Sequence, residues 1–285
     1  MKLINQSFYF ISQSGFGLLD IYRHIERCAR VCYKSEDRIT SNSCIRFVDS
    51  LISSGHSRPL EFGTVHLKFS RVSFASFRNK LLSLKEWNDQ WIRYNSDEGH
   101  TYATTNYRYY LRMKSLLKNS FFLEGNLDPS DNDLYPKRYT VHFILSRGIM
   151  DEFRTHVGLS HLAESSRYCN YSKDKFNGEV TFIKPNWYID KDYKTTLADS
   201  KEEMASARLQ AALEDAESAY LFLLKNGCKP QQAREVLPLS VKSELISCGF
   251  KKDWDNFFYR RNSPSAHPMA QEIASSLQSH FSVKE

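Results

Sequence analysis

Residues 138–146 read RYTVHFILS, and residues 147–173 continue without a break as RGIMDEFRTHVGLSHLAESSRYCNYSK. In the first piece Val141, Phe143 and Leu145 recur at every second position, with Thr140, His142 and Ile144 between them. That period predicts a strand with one face against a core. Gly148 follows, and a helix is expected from about 150 to 157. From 160 to 175 Ser, Asn and Tyr dominate, the composition of a loop that offers hydrogen bonds. The second piece therefore packs two His, two Glu and three Arg directly behind an apolar strand, a common position for a site. Guanidinium groups beside hydroxyls suit a phosphate or an anionic ring edge, because Arg presents paired donors in a fixed plane. The same residues also suit a helix end with its caps and solvated arginines.

Working outward, apolar residues at helical spacing predict helices over 18–34 and 41–54, the second stopped by Gly55. TVHLKFS at 64–70 alternates as a strand does. Residues 72–95 are expected to be helical, with Trp87 and Trp91 four apart on one face. HTYATTNYRYYLR at 100–112 reads as a strand passing into a helix. Residues 119–136 are Asp/Asn-rich and are expected to form a loop or insertion. Downstream, a short strand at 180–184 stops at Pro185, and a long helix at 200–225 is closed by Gly227. A short helix at 231–236 and helices at 253–261 and 266–282 complete the chain. The fold class is α+β: a small antiparallel sheet with several packed helices, in a single domain over 1–285, without internal repeats or a linker.

The chain has 285 residues, of which 41% are hydrophobic and 25% charged, enough apolar material for a core and too much for a disordered chain. No apolar run reaches the roughly 18–20 residues needed to cross a bilayer, and Met1 to Phe10 lack a secretory pattern. A cytoplasmic protein without membrane association is expected. Its six cysteines are scattered without a CxxC pair, so reduced thiols and no metal site are expected. The net charge of +6 is spread without basic blocks, which argues against a nucleic-acid partner and suits small phosphorylated substrates. GxGxxG, GxxxxGK[ST], HExxH, HxE…PCxxC and GxSxG are all missing, which excludes the commonest dinucleotide, P-loop, zinc and serine-hydrolase readings.

Ser165-Ser166-Arg167-Tyr168 resembles the S-x-R-Y signature of the flavin-dependent thymidylate synthases, in which it follows an Arg-His-Arg triplet by seven residues. GHSRPLEFGTVHLKF (55–69), TTNYR (104–108), PQQAREVLPLSVKSEL (230–245) and WDNFFYRRNSPSAHPMAQEI (254–273) resemble other segments of that family, in the same order. The resemblance implies that family's fold and reductive methylation of dUMP to dTMP. Methylenetetrahydrofolate would give the carbon, FAD would be the cofactor and NADPH the reductant, in a homotetramer whose sites draw on several subunits. It implies that Arg261 polarises the uracil ring, that Arg167, Arg234, Ser165, Ser166 and Glu152 contact the nucleotide, and that His56, Arg58, Glu61, His156, Asn256 and His267 serve the flavin. Ser165, lacking an adjacent base, reads as a hydrogen-bonding group and not as a nucleophile.

The triplet itself departs from the pattern. Thr155-His156-Val157 retains only the His, Arg154 sits one place early, Ala163 replaces an acidic or amide residue, and Phe250 stands where Asn is expected. Loss of two guanidinium groups implies altered flavin or folate contacts, with Arg58 as a substitute donor to the pyrophosphate. The alternatives are a related enzyme modifying C5 of another pyrimidine nucleotide, and a non-catalytic nucleotide-binding homologue.

Overall fold

The strand expected over 138–146 forms, and it organises the larger of the sheets in a computed structural model that describes residues 1–117 and 126–283. In chain order the strands are β1 (Lys2–Ile4), β2 (Ser7–Phe10), β3 (Thr64–Ser70), β4 (Ile92–Ser96), β5 (His100–Asn106), β6 (Arg138–Ser146), β7 (Ser160–Ala163), β8 (Thr181–Ile183) and β9 (Lys242–Phe250). The helices are α1 (Leu18–Tyr33), α2 (Ser43–Ser53), α3 (Arg71–Ser83), α4 (Tyr107–Leu116), α5 (Arg147–Arg154), α6 (Lys201–Lys225), α7 (Pro230–Ala233), α8 (Lys251–Arg261) and α9 (Pro268–Val283). The fold is α+β, as the patterning implied.

The main sheet has the order β2-β6-β9-β7 and is antiparallel throughout. The register sets Arg138 opposite Phe250 and Ser146 opposite Lys242, so β9 runs the full length of β6. Val141, Phe143 and Leu145 face α5, α8 and α9, and pack with Phe153, Trp254, Phe257, Leu277 and Phe281. On the opposite face, α1 lays Cys28 and Val31 against Leu162, Ile246 and Cys248. The period of two along β6 and the helical spacing along α1 thus meet across one sheet. Gly249 shows how close that packing is, because a Cβ there would lie 2.4 Å from Leu159 Cδ2. A second antiparallel sheet, β3-β5-β4, is covered by α3 and α4, and β1 pairs with β8 in parallel.

Three expectations change. The helix over 72–95 ends at Ser83, because Lys85 turns left-handed (φ 58°) and Asn88 makes a tight turn with its side-chain carbonyl accepting from Gln90 N. Trp87 and Trp91 are therefore not on one helical face: Trp87 lies beside Arg78 and Phe74, and Trp91 beside Tyr109. Part of the loop over 160–175 is strand β7, held by β9. β9 itself reads poorly as a strand, since Lys242, Ser243, Glu244, Ser247 and Gly249 interrupt its apolar residues, yet its residues from Ser243 onward are all buried. Of the loop expected over 119–136, residues 119–125 lie outside the described residues. Residues 126–128 run along β3, with Lys68 N donating to Asn126 O and Asp128 N to His66 O.

Candidate functional site

The signature segment is fastened before it offers anything. Glu164 N donates to Glu244 O (2.8 Å), which extends the β7–β9 pairing by one bond, and Ser165 N donates to Cys32 O at the end of α1 (2.9 Å). Tyr168 N and Cys169 N both donate to Ser165 O, closing a single turn. Cys169 and Tyr171 face inward, and Tyr171 packs against Tyr220 of α6. Arg167 and Tyr168 consequently face outward, with the guanidinium 5.8 Å from the Tyr168 ring centroid. Among the described residues Arg167 makes no ion pair.

Arg234 follows α7, whose buried Ala233 fixes the turn, and its Nη1 donates to Ser166 Oγ (3.0 Å). Two segments 68 residues apart meet there. They wall a cavity of about 240 Å³ together with Arg147, Glu164, Tyr171, Lys242 and Ser243. Arg147, which begins α5, and Lys242, which begins β9, were not anticipated from the sequence. The only sign was a charged residue at the edge of a strand that β6 and β7 enclose.

Behind the cavity lies a buried ion cluster. Lys242 Nζ donates to Glu164 Oε2 (2.9 Å) and Glu244 Oε1 (2.5 Å), while Lys34 Nζ (2.5 Å) and His142 Nε2 (2.8 Å) reach Glu244 Oε2. Burial by itself would raise the Glu244 carboxyl. The His142 hydrogen bond and the Lys242 and Lys34 charges outweigh it and hold the group well below the usual carboxylate range. Lys34 caps α1 in a left-handed conformation (φ 49°), which carries its ammonium back to the sheet.

A second cluster forms where α5 ends and α8 ends. Arg261 Nη2 donates to the Glu152 carbonyl (2.5 Å) and Nη1 lies 3.7 Å from Glu152 Oε2. Thr155 Oγ1 is 3.4 Å away, and Arg261 Nε is buried without a hydrogen-bond partner. Burial lowers the Arg261 pKa, and Arg260 adds to the effect against the pull of Glu152. His156 is buried beside it with Nε2 unpartnered. Burial, with help from Arg261 and Arg260, pushes it down to about 4, so the ring is neutral near pH 7. Burial likewise brings His161 to about 4, with Arg58 and Arg154 contributing, which puts those two guanidinium groups in the same neighbourhood.

The remaining expected residues are spread over the surface around these clusters. His56 and Arg58 are exposed at the turn before β3, and Asn256 is exposed on α8. His267 is exposed at the start of α9, where its Nδ1 accepts from Met269 N (3.2 Å). Glu61 is buried, and its carboxylate is engaged by Arg108 and Ser160. Arg261 does not line the Arg234 cavity, so within one chain the expected nucleotide residues form two groups. Ser165 Oγ has no hydrogen-bond partner among the described residues. All six cysteines are free thiols, and burial raises Cys32 and Cys169, which flank the signature turn, to about 12. Neither is poised as a nucleophile.

The sequence model of the thymidylate synthase complementing protein family matches residues 137–284, just over half of the chain and the part that carries both clusters apart from Lys34. The chain belongs to that family. Membership supports C5-methylation of a pyrimidine nucleotide as the class of reaction. Two solved structures of the UMP/dUMP methylase PolB from Streptomyces cacaoi, one bound with 5-Br UMP and one with 5-Br dUMP, are similar at 15% identity and a TM-score of 0.45. They cover 99% of this chain, and it covers 92% and 93% of theirs. No curated protein sequence matches the chain. The family match begins one residue before β6, so α1, α2 and the β3-β5-β4 sheet lie outside it. Among the described residues no helix is long and apolar enough to cross a membrane.

Proposed function

We propose that this member of the family converts dUMP to dTMP by reductive methylation, with methylenetetrahydrofolate as carbon donor, FAD as cofactor and NADPH as reductant. The observation that carries the reading is the meeting of Arg234 with Ser166 in one cavity with Arg147, beside the exposed Arg167. Two guanidinium groups and a hydroxyl converge in that cavity, where the signature turn is held by backbone hydrogen bonds, and Arg167 stands exposed on the same turn. That donor set suits a nucleotide phosphate.

The base requires a different group. Arg261 is fixed by Glu152 and is largely buried, at 17% exposure. A guanidinium held in place and partly desolvated stabilises negative charge developing on the uracil ring at no cost of reorganisation during the reaction. Arg261 lies outside the Arg234 cavity, so assembly as a homotetramer would bring the Arg261 cluster of one copy to the cavity of another. Neither raised thiol nor the unassisted Ser165 is fit to attack the ring, and a reduced flavin would supply the hydride that such a site lacks.

The residues present fit that cofactor. Arg260 and Arg261 lie near the neutral His156, whose Nε2 is unpartnered, and Arg58 and Arg154 near the adjacent His161, which makes a cationic surface able to take a pyrophosphate. Arg58 and Arg154 would stand in for the arginines that Thr155 and Val157 replace. Asn256 and His267 lie on and after the same helix and would contact the rings. Thr155 and Val157 also favour a second reading, a related C5-modifying enzyme on another pyrimidine nucleotide.

The test is anaerobic turnover of dUMP with methylenetetrahydrofolate, FAD and NADPH, with mass analysis of the product. A net gain of one CH2, the C5 hydrogen replaced by a methyl group, bears out the proposal, and a different one-carbon adduct supports the second reading. Purified protein without flavin absorbance and without nucleotide turnover overturns both.

A further inference from the structure

The Arg234 cavity contains one cation unlike the others. An ammonium carries three donors. Lys242 spends two of them on Glu164 and Glu244, and the third has no partner among the described residues. Its side chain lines the cavity beside Ser166 and Arg234. Glu164, 1% exposed, lines the same cavity, and its Oε1 meets only a long contact from the Tyr171 hydroxyl (3.4 Å).

Charge decides what this pair can bind. Lys242 and Lys34 face Glu164, Glu244 and, at 3.4 Å, Glu36, so the two ammonium groups are already matched by carboxylates. A phosphate dianion gains little from a cluster that holds a carboxylate 2.9 Å from its ammonium. It is better served by Arg147 and Arg234, which line the cavity. A donor next to an acceptor instead matches a hydroxyl, which accepts and donates at once. The cavity of about 240 Å³ is smaller than the roughly 300–1,000 Å³ of pockets that enclose a whole ligand. It has room for a phosphate and a sugar, with the base outside it toward an Arg261.

We propose that Lys242 and Glu164 bind the 3′-hydroxyl of the nucleotide sugar, with Glu244, Lys34 and His142 as positioning residues behind them. This rests on the reading of the cavity as the nucleotide site. Glu244 is held from three sides, which fixes the direction of the Lys242 ammonium and leaves its remaining N–H for the ligand.

The experiment compares equilibrium binding of dUMP and 2′,3′-dideoxyuridine 5′-monophosphate, which lacks that hydroxyl, to the full-length protein. The wild-type protein is expected to prefer dUMP by roughly tenfold to a hundredfold, the range for one hydrogen bond to a charged group. Lys242→Met/Glu164→Gln, which removes one charge of each sign, is expected to bind the two ligands equally, at the level the wild type shows for the dideoxy compound. Glu164→Gln alone keeps the shape of the pocket and serves if the double variant does not fold; it is expected to reduce the preference. A purely structural role for the pair would weaken both ligands alike and leave their ratio unchanged. A wild-type protein that binds both equally, or variants that keep the preference, overturns the inference while the nucleotide site stands. A wild-type protein that binds neither removes the nucleotide site and the inference with it.

Discussion

Glu244→Gln tests the ion cluster that supports the site. The substitution preserves shape and removes one charge between two buried ammonium groups. The Glu244 side chain is 10% exposed, and those of Lys34 and Lys242 are each 14% exposed. Breaking a buried ion pair by neutralising one partner costs about 3–5 kcal/mol. Here each lysine keeps a second carboxylate, Glu36 at 3.4 Å for Lys34 and Glu164 at 2.9 Å for Lys242, which places the loss near the lower end, about 3 kcal/mol. That is a large share of a total stability of about 5–15 kcal/mol. The same cluster sets an acid dependence. The folded Glu244 pKa is depressed, so its stabilisation is fully present above the unfolded value of about 4.3 and is lost as pH falls from there toward the folded value. Urea unfolding followed by circular dichroism at pH 7 and at steps down to pH 3 reads both effects. The variant should lose stability at pH 7 and show a shallower decline on acidification than the wild type. A loss below about 1 kcal/mol, or an unchanged acid slope, would refute the account of the cluster.

Three further outcomes are expected. Arg261→Ala removes the fixed guanidinium and should lower kcat for nucleotide turnover by about a hundredfold to a thousandfold, the scale for one preorganised charge-stabilising donor; a change below tenfold would assign Arg261 to structure alone. The His156 ring, held near 4 by burial and by Arg261 and Arg260, should show no proton NMR titration between pH 6 and 8, and a midpoint in that window contradicts its buried, neutral state. Gly249→Ala drives a Cβ to 2.4 Å from Leu159 Cδ2 and 3.4 Å from the Gly158 carbonyl, so it should destabilise by about 1–3 kcal/mol in the same urea assay, and a neutral result means that Leu159 can move aside.

Much of the fold is legible because its elements carry strong local periods. α1 buries Ile21, Ile25 and Cys28, β6 buries Val141, Phe143 and Leu145, and both patterns are plain in the sequence. β9 is the instructive failure. It lies between two strands with both faces covered, so its residues obey no alternation, and Lys242 and Glu244 look like surface residues until Lys34, His142 and Glu164 are brought to them. The segment from Leu84 to Gln90 failed for a different reason. Its apolar spacing suits a helix, but a left-handed Lys85 and a side-chain turn at Asn88 end the helix locally, and the two tryptophans pack into separate neighbourhoods.

Sequence by itself determined the α+β class, the strand that organises the main sheet and the set of arginine, serine and histidine residues that mark the family. Those properties live in short-range patterns and residue identity, which survive in one dimension. Tertiary structure decided which charges meet. It joined Arg234 to Ser166, gave Arg147 and Lys242 to the same cavity, and placed Arg261 with Glu152 in a cluster of its own. Contacts of that kind depend on strand register and on the desolvation of each ion by the chain packed over it, and neither is written at the position of the residue itself.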